Sequence, residues 1–248
     1  MINRILFGLI VFLCTAGGLH AQLGKQKNLV TFYIFENVYD STMGIDIYDK
    51  LIKQMGGDSI RYTPKGYVCQ GNWEDYYKSG AVIHLGYYVD GQLQSFKNFY
   101  ENGQVEREFK SLDYTRYQMV LYYPDGKVRS DIIYYQGEPQ ITKEYFPNGN
   151  PEILEEFAKK NEYLMYRTLY FENNKMQSDT RLVDLKKKRY SHKEYHETGN
   201  LMEEGTLVYY EEVDNFLKEG TWKVYDENGK QIATQVWSRG QLAEEKKL

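Results

Sequence analysis

Few residues in this chain have the types and spacing that catalysis or metal binding needs. Beyond the first 21 residues the histidines are His84, His192 and His196, and none stands in a metal-ligand pattern such as His-Glu-x-x-His. His192 and His196 are four apart, but their surroundings read as strand, where that spacing puts both on one face about 13 Å from each other. One ion cannot be shared over that distance. There is no Gly-x-Ser-x-Gly nucleophile turn. Cys69 lacks the histidine context of a thiol nucleophile and reads as a buried apolar residue. The carboxylate pairs Glu155-Glu156 and Glu203-Glu204 are adjacent, so on strands their members face opposite ways. These residues predict no enzyme, no metal and no cofactor.

What recurs instead is an aromatic pair followed by two polar residues and a turn glycine. Asn98-Phe99-Tyr100-Glu101-Asn102-Gly103 is the clearest copy, with others at Tyr76–Gly80, Tyr122–Gly126 and Tyr145–Gly149. Weaker copies end at Asn174, Gly199 and Gly229, so the turn positions lie 23, 23, 23, 25, 25 and 30 residues apart. A fixed period in this range is the mark of a repeat architecture. Tyr77, Tyr100, Tyr123 and Phe146 then fall one unit apart on one face, a candidate surface for a partner. The same ladder also reads as the sheet's own packing stripe, because cross-strand aromatic pairs stabilise sheets.

The elements that would carry this ladder are hairpins. Gly80, Gly103, Gly126, Gly149, Gly199 and Gly229 supply the positive φ of a tight turn, and Asn174 tolerates it. A second turn signal follows 11 residues later at Gly91, Gly137 and Gly240. Each unit is therefore two short strands and two turns. About seven units over residues 62–242 predict an all-β, elongated, single-layer antiparallel meander. A short strand and helix precede it in residues 22–61, and residues 243–248 form a charged tail. Leu29–Phe35 reads as the strand, and Ile45–Met55 as the main helix, placed to cap the open first edge of the sheet.

Met1–Ala21 has a basic n-region at Arg4, the short apolar run Ile5–Cys14 and small residues before Ala21, the pattern of a cleaved secretory signal. An exported protein in the periplasm or envelope is the expectation, and no later apolar run is long enough to span a bilayer. The formal charge of −4 becomes −5 once that segment leaves with its single basic residue. A mild acid excess argues against nucleic acid as a partner. With Cys69 the one remaining cysteine, no internal disulfide staples the fold. The basic run Lys186–Arg189 reads as a solvated hairpin end, with an acidic partner or anionic lipid as the alternative.

Gly71-x-Trp73-x-x-Tyr76-Tyr77-x-x-Gly80 and Gly220-Thr221-Trp222-x-x-Tyr225-x-x-x-Gly229 resemble MORN repeat variants. These are grouped with the YwqK-type antitoxin component of toxin–antitoxin systems. The resemblance spans about 62–242, with Asn174 and His196 departing from the pattern. It implies side-by-side hairpins and a non-enzymatic scaffold that binds another protein as an antitoxin or immunity protein. Envelope glycan or a membrane surface is the alternative ligand.

Overall fold

The computed structural model describes residues 46–77 and 79–248. The segment read as a signal and the strand Leu29–Phe35 lie outside the described residues. The chain divides at Gly149/Asn150 into two compact units, both all-β and both antiparallel meanders.

The first unit holds β1 (Gly71–Tyr76), β2 (Val82–Val89), β3 (Gln92–Phe99), β4 (Val105–Ser111), β5 (Arg116–Tyr122), β6 (Val128–Tyr135) and β7 (Glu138–Tyr145). The second holds β8 (Pro151–Phe157), β9 (Leu164–Tyr170), β10 (Met176–Asp184), β11 (Arg189–Tyr195), β12 (Leu201–Tyr210), β13 (Asn215–Tyr225), β14 (Gln231–Ser238) and β15 (Gln241–Lys247). Strand order follows chain order, as it must when every connection is a short turn.

Each long-period turn is built the same way. In Tyr100–Gly103 the glycine N–H donates to the Tyr100 carbonyl, and the Tyr100 N–H donates to the Gln104 carbonyl. Gly103 sits at φ 85°, a conformation a β-carbon resists, and the same geometry recurs at Gly80, Gly126, Gly149, Gly199 and Gly229. The second set, Gly91, Gly137 and Gly240, is likewise at positive φ, each preceded by a non-glycine residue also at positive φ: Asp90, Gln136 and Arg239. That pair of signs is the two-residue hairpin turn whose twist matches its strands.

A register shift falls at the aromatic pair in hairpin after hairpin, for example between Asn98 and Phe99 and between Leu121 and Tyr122. The extra residue is on the facing strand, Glu106 in the first case and Arg129 in the second, and it increases the local twist.

The preface departs from expectation. Instead of an α-helix over Ile45–Met55 there are two 3-10 segments, Asp46–Leu51 and Lys53–Met55, closed by Gly56 at φ 83°. The apolar spacing serves little more than one turn's worth of contact. Tyr48, Leu51 and Ile52 are fully buried but Met55 is exposed, so a longer helix would gain little. The segment packs on the sheet face, not its edge. Those three residues join Ile83, Tyr88, Leu93, Phe96, Phe109, Tyr117 and Met119 in one core.

Among the described residues regular strands begin at Gly71, and before it Tyr62 and Val68 form an isolated bridge. The residues read as a charged tail are strand β15, because β14 offers an open row of backbone groups and Arg239-Gly240 turns the chain back onto it.

Candidate functional site

The tyrosine ladder exists as a column of hydrogen bonds. Tyr77 Oη donates to the Phe99 carbonyl at 2.7 Å, Tyr100 to the Tyr122 carbonyl at 2.9 Å, and Tyr123 to the Tyr145 carbonyl at 2.7 Å. The rule is simple: the second ring of each pair ties down the backbone of the first ring in the next unit. Phe146 holds the next place without a hydroxyl. His196 holds the equivalent place further on, and its Nε2 lies 3.3 Å from the Tyr225 carbonyl. Tyr77 is buried, and Tyr100, Tyr123 and Phe146 are half-buried. The ladder's polar atoms thus face the protein's own backbone. The turns reinforce it: Lys127 Nζ donates to the Pro147 carbonyl, and Asn200 Nδ2 to that of Glu227.

A closed polar network lies under the cap. Arg61 forms a buried ion pair with Asp75, and Tyr48 Oη donates to the same carboxylate at 2.8 Å. Arg61 also donates to Tyr88 Oη at 2.9 Å, and Tyr88 Oη meets His84 Nε2 at 2.9 Å. His84 Nδ1 lies 2.7 Å from Asn98 Oδ1, and the imidazole stacks on the Tyr48 ring at 3.7 Å. Burial pushes the His84 pKa down to about 3, so the ring is neutral. Asp49 on the cap meets Arg107 on β4 at 3.0 Å. This network pins the cap to the sheet, and its histidine and carboxylate are sealed from solvent. Cys69 lies in the same core with its thiol pushed up by burial, the opposite of an activated nucleophile.

The second unit gathers a different cluster, around a bulge in β13. Glu204 pairs with Lys223 and Thr206 with Glu219, so Gly205 faces an extra stretch of β13. Trp222 fills that space. Any β-carbon on Gly205 would overlap the indole, which is fully buried. Lys218 Nζ sits 4.2 Å from the Trp222 ring centre and 5.0 Å from that of Trp237, and both Glu203 oxygens hold it at 2.6 Å. His192 bridges Thr180 Oγ1 at 2.7 Å and Glu194 at 3.1 Å. The His192 contact is the leading reason Glu194 titrates below the usual carboxylate range. Each charge here has a partner, and the cluster's chemistry is that of a clamp on the bulge. Among the described residues no group of three His, Cys, Asp or Glu side chains could hold a metal ion.

Sequence reasoning missed this clamp, although Gly205, a glycine inside a strand pattern and away from any turn, is the signal for a close approach. It also missed the loop between β4 and β5. There Asp113 accepts from the N–H groups of Thr115 and Arg116 and pairs with the Arg116 side chain. The fixed loop presents Tyr114, 99% exposed, beside the exposed Leu112. Leu85, Tyr87 and Val89 are exposed along one face of β2. An outward apolar surface stands here, apart from the ladder.

No curated protein matches the chain. Among solved structures, the one titled "Crystal Structure of TcdB2-TccC3-TEV" is 8% identical, with 73% of this chain and 14% of that chain covered and a TM-score of 0.19. So slight a likeness has no bearing on function. The MORN repeat variant matches residues 95–110, 191–211 and 218–230. The first match is the β3–β4 hairpin around Gly103, and the second the β11–β12 hairpin around Gly199. The third runs from Lys218 through Trp222 to the Gly229 turn. A MORN repeat variant is thus found in three segments, which contain the turns at Gly103, Gly199 and Gly229 and, of the clamp, Gly205, Lys218 and Trp222.

Proposed function

We propose that the protein is an exported, non-catalytic repeat scaffold that binds another protein, with an antitoxin or immunity role as the form its repeats imply. One observation carries the reading. The histidine, carboxylate and tyrosine clusters are internally paired, while large apolar side chains stand outward on fixed elements, Tyr114 and Tyr87 foremost. Rigid exposed aromatics are contact residues of low ordering cost. The array's hairpins serve as the frame, and its outward rings as the contact surface. The charge of the chain, −4, favours neither nucleic acid nor an anionic membrane.

The test is affinity capture from envelope extract of the native host with residues 22–248 as bait, beside a variant carrying Tyr87→Ser and Tyr114→Ser. A single protein partner, lost with the variant while its melting temperature is unchanged, is the expected result. Glycan carried down in place of protein would replace this reading with the carbohydrate-binding one. Export is tested separately: N-terminal sequencing of the protein from fractionated cells is expected to begin at Gln22, and an intact Met1 in the cytoplasm would remove that part of the proposal.

A further inference from the structure

Three observations meet at the last strand. First, β15 pairs with β14 on one side, and among the described residues nothing pairs with its other side. The Leu248 N–H donates to the Ile232 carbonyl. By antiparallel alternation, the amides of Lys246 and Glu244 also turn towards β14, and those of Lys247 and Glu245 turn outward. Second, Leu242 and Ala243 line an open cleft of about 450 Å³ with Val213, Leu217, Ser238, Arg239 and Gln241. Leu242 and Val213 are both exposed. Third, the charges on β15 run acid, acid, base, base from Glu244 to Lys247, opposite the uncharged Ala233–Val236 stretch of β14. Among the described residues none of the four enters an ion pair, although Glu245 accepts a hydrogen bond from Gln235 Nε2 at 2.8 Å. Charged side chains on an edge strand discourage indiscriminate pairing. Here the charge is ordered, and it stops where that cleft begins.

We propose that β15 is the docking edge for an extended segment of the partner protein, which adds to the sheet as a further antiparallel strand. The idea rests on the protein-binding reading above. The segment has an apolar residue beside Leu242 that enters the cleft, a basic residue opposite Glu245 and an acidic residue opposite Lys247. Backbone bonds to the outward amides supply affinity, and the cleft and the charge order supply selectivity.

The probe is a displayed library of random twelve-residue peptides, selected on the full chain and then synthesised for anisotropy titration. Two variants are compared with the parent. Glu245→Pro removes an outward amide and leaves the backbone bonds to β14 intact, losing only the exposed side-chain bond from Gln235, at a position where an edge strand accepts proline. Leu242→Asp puts a charge in the cleft. Both are expected to melt with the parent and to weaken the selected peptides by about tenfold or more. Amide exchange at Glu245 and Lys247 is expected to slow by a similar factor when peptide is bound. Peptides that bind both variants as they bind the parent, or that protect amides elsewhere, overturn the docking edge while leaving a protein-binding scaffold in place. A dimer of the parent that Glu245→Pro abolishes would assign the edge to a second copy and overturn the partner assignment. If no peptide is enriched, the docking edge falls, and the affinity capture decides the broader reading by itself.

Discussion

The hydroxyls of Tyr77, Tyr100 and Tyr123 are the smallest groups on which the architecture depends. Each satisfies a backbone carbonyl one unit further on, and at Phe99 and Tyr122 a bulge has disturbed the ladder that would otherwise satisfy it. Tyr100→Phe is therefore expected to cost about 1 kcal/mol in urea unfolding, the usual net worth of one such bond. Gly126, at φ 86°, tests the turn itself. Its added β-carbon would meet nothing closer than Gln104 at 3.5 Å, so the strain comes from the backbone and not from a clash. Gly126→Val is expected to destabilise by about 1–3 kcal/mol, read as a lower melting temperature. An unchanged melting temperature would refute the turn.

Two elements decide how the hairpins are held. The cap is held by Arg61, Asp75, Tyr48 and His84, and that makes it sensitive to acid. The folded state keeps His84 neutral down to about pH 3, whereas the unfolded chain binds its proton near 6.5. Protonation thus favours unfolding, and stability present above pH 6.5 falls as pH drops towards 3. Between pH 6.5 and 5 the loss from this residue is about 2 kcal/mol. The measurement is denaturant unfolding at both values, where His84→Gln is expected to flatten the difference. The β13 bulge is the second element. Gly205→Ala is expected to displace Trp222, with a red-shifted indole emission and a loss of about 1–3 kcal/mol. The turns and strands were legible in the sequence because each depends on residues within a single unit. The cap was legible only as an apolar pattern. Tyr48, Leu51 and Ile52 satisfy a helix and a 3-10 turn alike at this length, and the sheet face that chooses between them lies 30 to 70 residues downstream. The Trp222 clamp and the fixed Tyr114 loop were not read at all, because their partners come from neighbouring hairpins and from hydrogen bonds to one aspartate.

For the molecule as a whole, chain order and strand order coincide, and no disulfide lies among the described residues. Stability must then come from each hairpin leaning on the next. Treatment with EDTA is expected to leave the melting temperature unchanged, and a fall of several degrees would reveal a metal site. Far-ultraviolet circular dichroism is expected to show strand with almost no helix.

The rungs between successive units also set how such an array yields to a pull. Tension applied along the strand order of the first unit loads its hairpins in series, with a hydroxyl–carbonyl rung beside each joint. A hairpin that peels away releases one period of 23 residues, about 80 Å of slack chain. Under an optical trap the unit would then lengthen in equal steps. Replacing a ladder tyrosine with phenylalanine would lower the force of one step and leave its length unchanged.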